Sequence, residues 1–191
     1  MRLDQVLPRT AGPGVAAEIA ALRTPGRLLA AGVHQTQDGK QWQFRFVLNE
    51  LDRSWVLDRS DGPVKHRRER YEHGVWHNVD GPIELPFERA VRGPIWMAMP
   101  ERMVSWGRGH ESFAPMLVQK IGRHSLLLTF EHEQDPAFRT TLVVDERDGI
   151  ARRRLDGREA TIITDVRPLS RDDDVPPPRF EPLTDWIRPE Y

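Results

Sequence analysis

The chain of 191 residues has no cysteine. Disulfides, thiol nucleophiles, iron–sulfur clusters and thiolate zinc sites are therefore excluded, and the sequence is indifferent to redox compartment. It has almost no net charge: 28 basic side chains face 29 acidic ones. No global field draws such a chain to nucleic acid or to an anionic bilayer. Long apolar runs are missing too, so no stretch approaches the ~20 residues of a membrane-spanning helix. At the N-terminus, Asp4, Pro8, Arg9 and Glu18 interrupt every window that could serve as a signal peptide, and the expectation is a cytoplasmic protein. Known motif chemistry is absent as well. There is no G-x-S-x-G, Walker loop, dinucleotide-binding glycine fingerprint or H-E-x-x-H, and no cofactor or metal is expected.

What is present is alternation. After a short amphipathic segment, "GVAAEIAALR" at 14–23, the texture turns to strands in "GRLLAAGVHQTQ", "QWQFRFVLNE" and "RSWVLDRS", with Trp42, Phe44, Phe46 and Leu48 alternating with Gln43, Arg45 and Val47. Asp38-Gly39 marks a hairpin between the first two. The basic stretch "VKHRRERYEHGVWH", 64–77, reads as a further strand turning at Gly74. Lys65, Arg67 and Glu69 then share one face, and His66, Arg68, Arg70 and Glu72 the other. With both faces charged, one meets solvent and the other a cavity or acidic partners, with Asp58, Asp61, Glu69 and Glu72 close in sequence. Glutamates interrupt the arginines, and "ARRR" at 151–154 sits between acidic turns, which argues against the excess of positive charge that a nucleic-acid footprint needs. His73 and His77 flank a hairpin tip and lack the geometry of a metal pair.

Between 82 and 122 the texture changes to proline-broken segments, with Met99, Met103 and Trp106 at helical spacing, and Phe113, Met116, Leu117 and Lys120 tracing another turn or two. Four of the five methionines lie here. Strand texture resumes in "HSLLLTFEHE", "FRTTLVVDE", "IARRRL" and "REATIITDVRP", joined at Asp135-Pro136, Asp148-Gly149 and Asp156-Gly157. From 171 to 191 a proline-rich tail follows, packed on the body or extending from it as a docking segment for a protein partner. The expected fold is α+β: one large curled antiparallel sheet, an incomplete barrel of about 9–11 strands, wrapped over a short N-terminal helix and a central helical insertion. A meander of that size curls under its own twist, so the 1–170 domain is a cup and the insertion its lid.

Two stretches carry a family resemblance. "YEHGVWHNVDG" (71–81) and "DPAFRTTLVVDERDGIARRRLDGREATIITDVRP" (135–168) resemble the hairpin and closing-strand pattern of the LolA/LolB-type lipoprotein carriers, whose topology would span roughly 14–169. The resemblance implies an incomplete barrel around a helical plug, a pocket for an acyl chain or similar apolar molecule, and Arg45 or Arg68 pointing inward to hold the lid or a polar head.

Methionine is unbranched and polarizable, suited to surfaces that accept differently shaped apolar guests. The candidate ligand-binding residues are therefore Trp42, Phe44, Phe46 and Trp55 on the floor, and Trp96, Met99, Met103, Trp106, Phe113 and Met116 in the lid. Leu128 and Phe130 stand in the wall with Leu126, Leu142 and Val144. The alternative to an ordinary packed core is a carrier or sensor of a hydrophobic small molecule or lipid. A second alternative is a cyclase or isomerase of a biosynthetic pathway, folding an apolar substrate in the same cup, with His110, Glu131, His132 or Asp165 as its acid or base.

Overall fold

A computed structural model describes residues 2–60, 66–91, 93–102 and 113–180. Helix α1, Gly12–Ala21, leads into β1 (Arg27–Thr36), β2 (Gln41–Asn49), β3 (Ser54–Ser60), β4 (His66–Glu72), β5 (Val75–Asn78) and β6 (Gly81–Glu84). A short helix α2 (Phe87–Ala90) and two 3₁₀ turns, Gly93–Ala98 and Pro100–Arg102, form the lid. The chain continues with β7 (Phe113–Lys120), β8 (Ser125–His132), β9 (Arg139–Asp145), β10 (Ala151–Asp156) and β11 (Glu159–Pro168). Among the described residues, eleven strands form one antiparallel sheet, in the order β6-β5-β4-β3-β2-β1-β11-β10-β9-β8-β7. It runs from edge to edge without closing, a half-barrel as expected.

The turn chemistry explains the meander. Gly39, Gly74 and Gly149 all have positive φ, each at a hairpin or tight turn, where a Cβ would be strained. At the turn before β10, Asp145 accepts hydrogen bonds from the backbone N–H and the guanidinium of Arg147, and its carbonyl accepts the Gly149 N–H. The Arg147 side chain holds the Asp145 carboxyl down at about 2, against the opposing effect of burial. A depressed carboxylate stabilises the fold above its ordinary value near 3.8, and that contribution is lost as pH falls through about 2. Arg147 is largely exposed, which discounts the contribution to about 1–2 kcal/mol. Asp145→Asn is accordingly expected to lower the urea midpoint at neutral pH, and the gap to the parent protein to close as the buffer is acidified.

Each strand of the centre buries alternate residues. Leu28, Ala30, Phe44, Phe46, Leu48, Trp55, Leu57, Leu126, Leu128, Phe130, Leu142 and Val144 share the inner face, all buried. α1 and the lid cover that face through Ala16, Ile19, Phe87, Ile95, Met97, Ala98 and Met99. The lid is tied down by polar contacts. Thr24 donates from its hydroxyl to Glu101 (2.7 Å) and from its backbone N–H to the same carboxylate (3.2 Å), while Arg53 and Arg102 sit over the Phe87 ring and both pair with Glu88.

The sheet edges differ. Beside β7, the N-terminal segment pairs through Val6 and Gln119, with Leu7 donating to the Val118 carbonyl, and so covers that edge. β6 ends the sheet as four residues containing Pro82, a short edge of the kind that resists further pairing. The tail folds back over the outer face. Arg27 donates to the carbonyls of Ser170, Arg171 and Asp173, Arg45 to that of Pro176, and Phe180 stacks on His66. Residues 181–191 of the expected docking segment lie outside the described residues.

Two expectations need correction. Residues 113–120 are strand β7, not a further helical turn. Pro115 and a register shift between Pro115 and Leu117 break the alternation that would have announced it. The lid is correspondingly shorter than 82–122 and opens with a strand, β6, disguised by its proline.

Candidate ligand-binding site

The inner face has two ends of different character. A ladder of rings along β1 and β2 leads from the polar end to the apolar one: His34 stacks on Trp42 (4.5 Å between centroids), Trp42 meets Phe44 edge-on (5.7 Å), and Phe44 stacks on Phe46 (6.3 Å). Trp55, Tyr71 and Phe87 form a second group, with the Tyr71 hydroxyl donating to the Leu85 carbonyl. Ile95, Met97 and Met99 of the lid lie against this apolar floor, each at most 1% exposed.

The other end is polar. His34 faces Thr161 across the sheet, Nδ1 to Oγ1 at 2.9 Å, and its Nε2 lies 3.7 Å from Glu159. Burial holds the His34 imidazole below its ordinary value, opposed by the nearby Glu159 carboxylate. Arg59 pairs with Glu69, and Arg154 with Glu159 and Asp156. Each guanidinium also lies over an indole, Arg59 over Trp42 at 5.3 Å and Arg154 over Trp96 at 5.3 Å, geometry in the cation–π range. The Nε atoms of both arginines are buried without a hydrogen-bond partner.

Between this polar end and the lid lies a cavity of about 210 Å³, lined by His34, Trp42, Leu57, Arg59, Glu69, Gly93, Pro94, Met97, Arg154, Glu159 and Thr161. Drug-sized ligands occupy roughly 300–1,000 Å³. The space with the lid in place therefore admits a small group rather than a long chain.

Of the residues read from the sequence, Trp42 lines this cavity. Phe44, Phe46, Trp55, Leu128 and Phe130 of the sheet and Met99 of the lid are packed in the interior, at most 2% exposed. Trp96 and Phe113 pack against that interior while partly exposed, and Met116 is half-buried at the β7 register shift. Met103, Trp106 and His110 lie outside the described residues. Glu131 is ion-paired with Arg139, and His132 accepts the backbone N–H groups of Gln134 and Asp135 from the turn after β8. Asp165 is exposed on β11, which β9 and β10 separate from β8. These three do not converge on one site.

Arg45 and Arg68 do not point inward. Residues 44 and 46 occupy the inner face, so Arg45 faces outward, toward Asp58, Arg68 and the tail carbonyl of Pro176. Arg68 pairs with Asp58 at 3.7 Å on that same outer face. Among the described residues, the arginines that line the inner cavity are Arg59 and Arg154. Alternation could have found the first: Arg59 follows Trp55 and Leu57 on the same face of β3.

The chain has a LolA-like half-barrel fold. No family model matches the sequence, and no curated protein matches it. Among solved structures the fold is similar to that of MucB, with a TM-score of 0.52 and 11% identity, over 84% of this chain and 60% of that one. The complex of MucA and MucB from Pseudomonas aeruginosa gives 0.49 at 11% identity, over 82% and 56%. A LolA superfamily protein from Nitrosomonas europaea gives 0.38 at 9% identity, over 86% and 94%. The chain thus spans 60% of the length of MucB, and the likeness is one of fold.

Proposed function

We propose that the chain binds a hydrophobic small molecule or acyl-bearing ligand between the inner face and the lid, as a carrier or sensor. The observation that carries this reading is the composition of the lid. Ile95, Met97 and Met99, all fully buried on the apolar face, are held in 3₁₀ turns and the short link between them. Such turns have poorer hydrogen-bond geometry than α-helix, and the methionines adapt to new neighbours with little strain. An adaptable part of the core therefore lies against the apolar inner face. A guest replacing these contacts recovers about 25 cal/mol per Å² of apolar area buried. The LolA-like fold supports the reading as analogy only.

Two measurements test it. Native mass spectrometry of the protein purified from cells is expected to show a co-purifying apolar molecule, and titration with methyl octanoate to change the tryptophan fluorescence saturably. Absence of both signals would overturn the proposal.

A further inference from the structure

The outer face of the sheet holds a segment that adds no buried residue to the core. Leu169 is buried, but from 170 to 180 every residue is exposed or half-buried. The segment is nevertheless seated. Nη1 of Arg27 donates to the carbonyls of Ser170 (2.8 Å), Arg171 (3.1 Å) and Asp173 (3.1 Å), and Nη1 of Arg45 to that of Pro176 (2.7 Å). These bonds read the course of a backbone, whatever side chains it carries. Phe180 adds a ring stack on His66, 5.5 Å between centroids. Such recognition favours proline. Pro176, Pro177 and Pro178 have no N–H to satisfy, and each holds the residue before it extended, so the segment offers carbonyls at little cost in chain entropy. The facing surface offers donors: Arg27, Arg45 and Arg68 line the groove, with Asp58 the carboxylate among its described lining residues. Ahead of the prolines, "RDDD" at 171–174 supplies the opposite charge.

We propose that the outer face of β1–β4 is a docking groove for an acidic, proline-rich segment of a partner protein, and that the chain's own tail occupies it until such a segment displaces it. The tail leaves the groove incompletely filled. Between residues 175–178 and the sheet a space of about 320 Å³ remains over Val47 and Val56. A tethered occupant is present at an effective concentration on the order of millimolar, so a competitor needs contacts that the tail does not make, and this apolar floor provides them. The groove lies on the opposite side of the sheet from the lid, so a partner engages it whether or not the cup holds a guest.

Fluorescence anisotropy of a fluorescein-labelled peptide of residues 170–180 tests the assignment, with the full-length chain and a full-length variant carrying Pro176→Gly, Pro177→Gly and Pro178→Gly. Glycine removes the tail's preorganisation and leaves its length, so the peptide should bind the variant about tenfold or more tightly than it binds the parent. Adding Arg45→Gln to that variant deletes the donor to the Pro176 carbonyl and should weaken peptide binding about fivefold. A peptide with alanine at its three proline positions should lose a similar factor, with no change made to the protein. No binding to the glycine variant, or binding indifferent to both Arg45→Gln and the alanine peptide, would overturn the proposal. Concentration-dependent dimerisation of the parent chain that the glycine variant lacks would make a second copy's tail the occupant and overturn the assignment to a partner protein.

Discussion

Gly32→Ala is expected to destabilise the protein by about 3 kcal/mol or more, at the upper end of what overpacking costs. A Cβ on Gly32 would lie 2.0 Å from the Ile162 carbonyl oxygen and 2.6 Å from Cζ of Phe44. The first neighbour is main chain of the adjacent strand, in a ladder that already shifts register between Ala31 and Gly32, and it cannot retreat without breaking the β1–β11 pairing. The second is the ring of the aromatic ladder that floors the cup. The glycine lets Phe44 lie flat across β1, which in turn shapes the apolar surface under the lid. Urea unfolding checks the effect, and Gly32→Val should be worse. Adding Phe44→Leu to Gly32→Ala relieves only the aromatic clash, so it should restore little. A Gly32→Ala midpoint equal to that of the parent would mean that β1 and β11 are not paired as described.

The second large effect concerns Met97, which is buried in the lid and lines the cavity. Met97→Ala is expected to cost about 2–5 kcal/mol, the range for truncating a buried methionine. If the lid is only core, the loss is all that follows. If apolar guests occupy the space beneath it, truncation enlarges the site, and saturating methyl octanoate should restore part of the loss, about 2.7 kcal/mol at a hundredfold excess over Kd. Thermal unfolding with and without the ester separates the two cases. The parent protein, whose Met97 still fills the space, should gain less from the same ligand.

Much of the half-barrel was legible because its physics is local. The alternation of Trp42, Phe44, Phe46 and Leu48, together with turn dipeptides such as Asp38-Gly39 and Asp148-Gly149, specifies strands and their order without reference to distant residues. β7 was not legible, since Pro115 and the adjacent register shift erase the period of two where it would show. Phe44, Phe46 and Trp55, read from the alternation as the cup's apolar floor, share the inner face and are packed interior. Sequence gives the sign of a face but not whether the volume above it is filled. The polar end escaped notice for a related reason. His34, Arg59 and Arg154 come from three strands, β1, β3 and β10, and only the curl of the sheet and the placing of the lid bring them to one cavity. The basic stretch after residue 64 drew attention by its density. Its described part is mostly an exposed strand whose charges pair with neighbouring acids, as with Arg68 and Asp58 or Arg70 and Glu72, and Glu69 is the member that reaches the cavity.

Hydrogen exchange with and without methyl octanoate tests the central claim most directly. The account predicts altered exchange in 87–102 and in the facing strands β2 and β3, with 169–180 on the outer face unchanged. A ligand effect confined to the outer face, or binding that leaves 87–102 untouched, would contradict it.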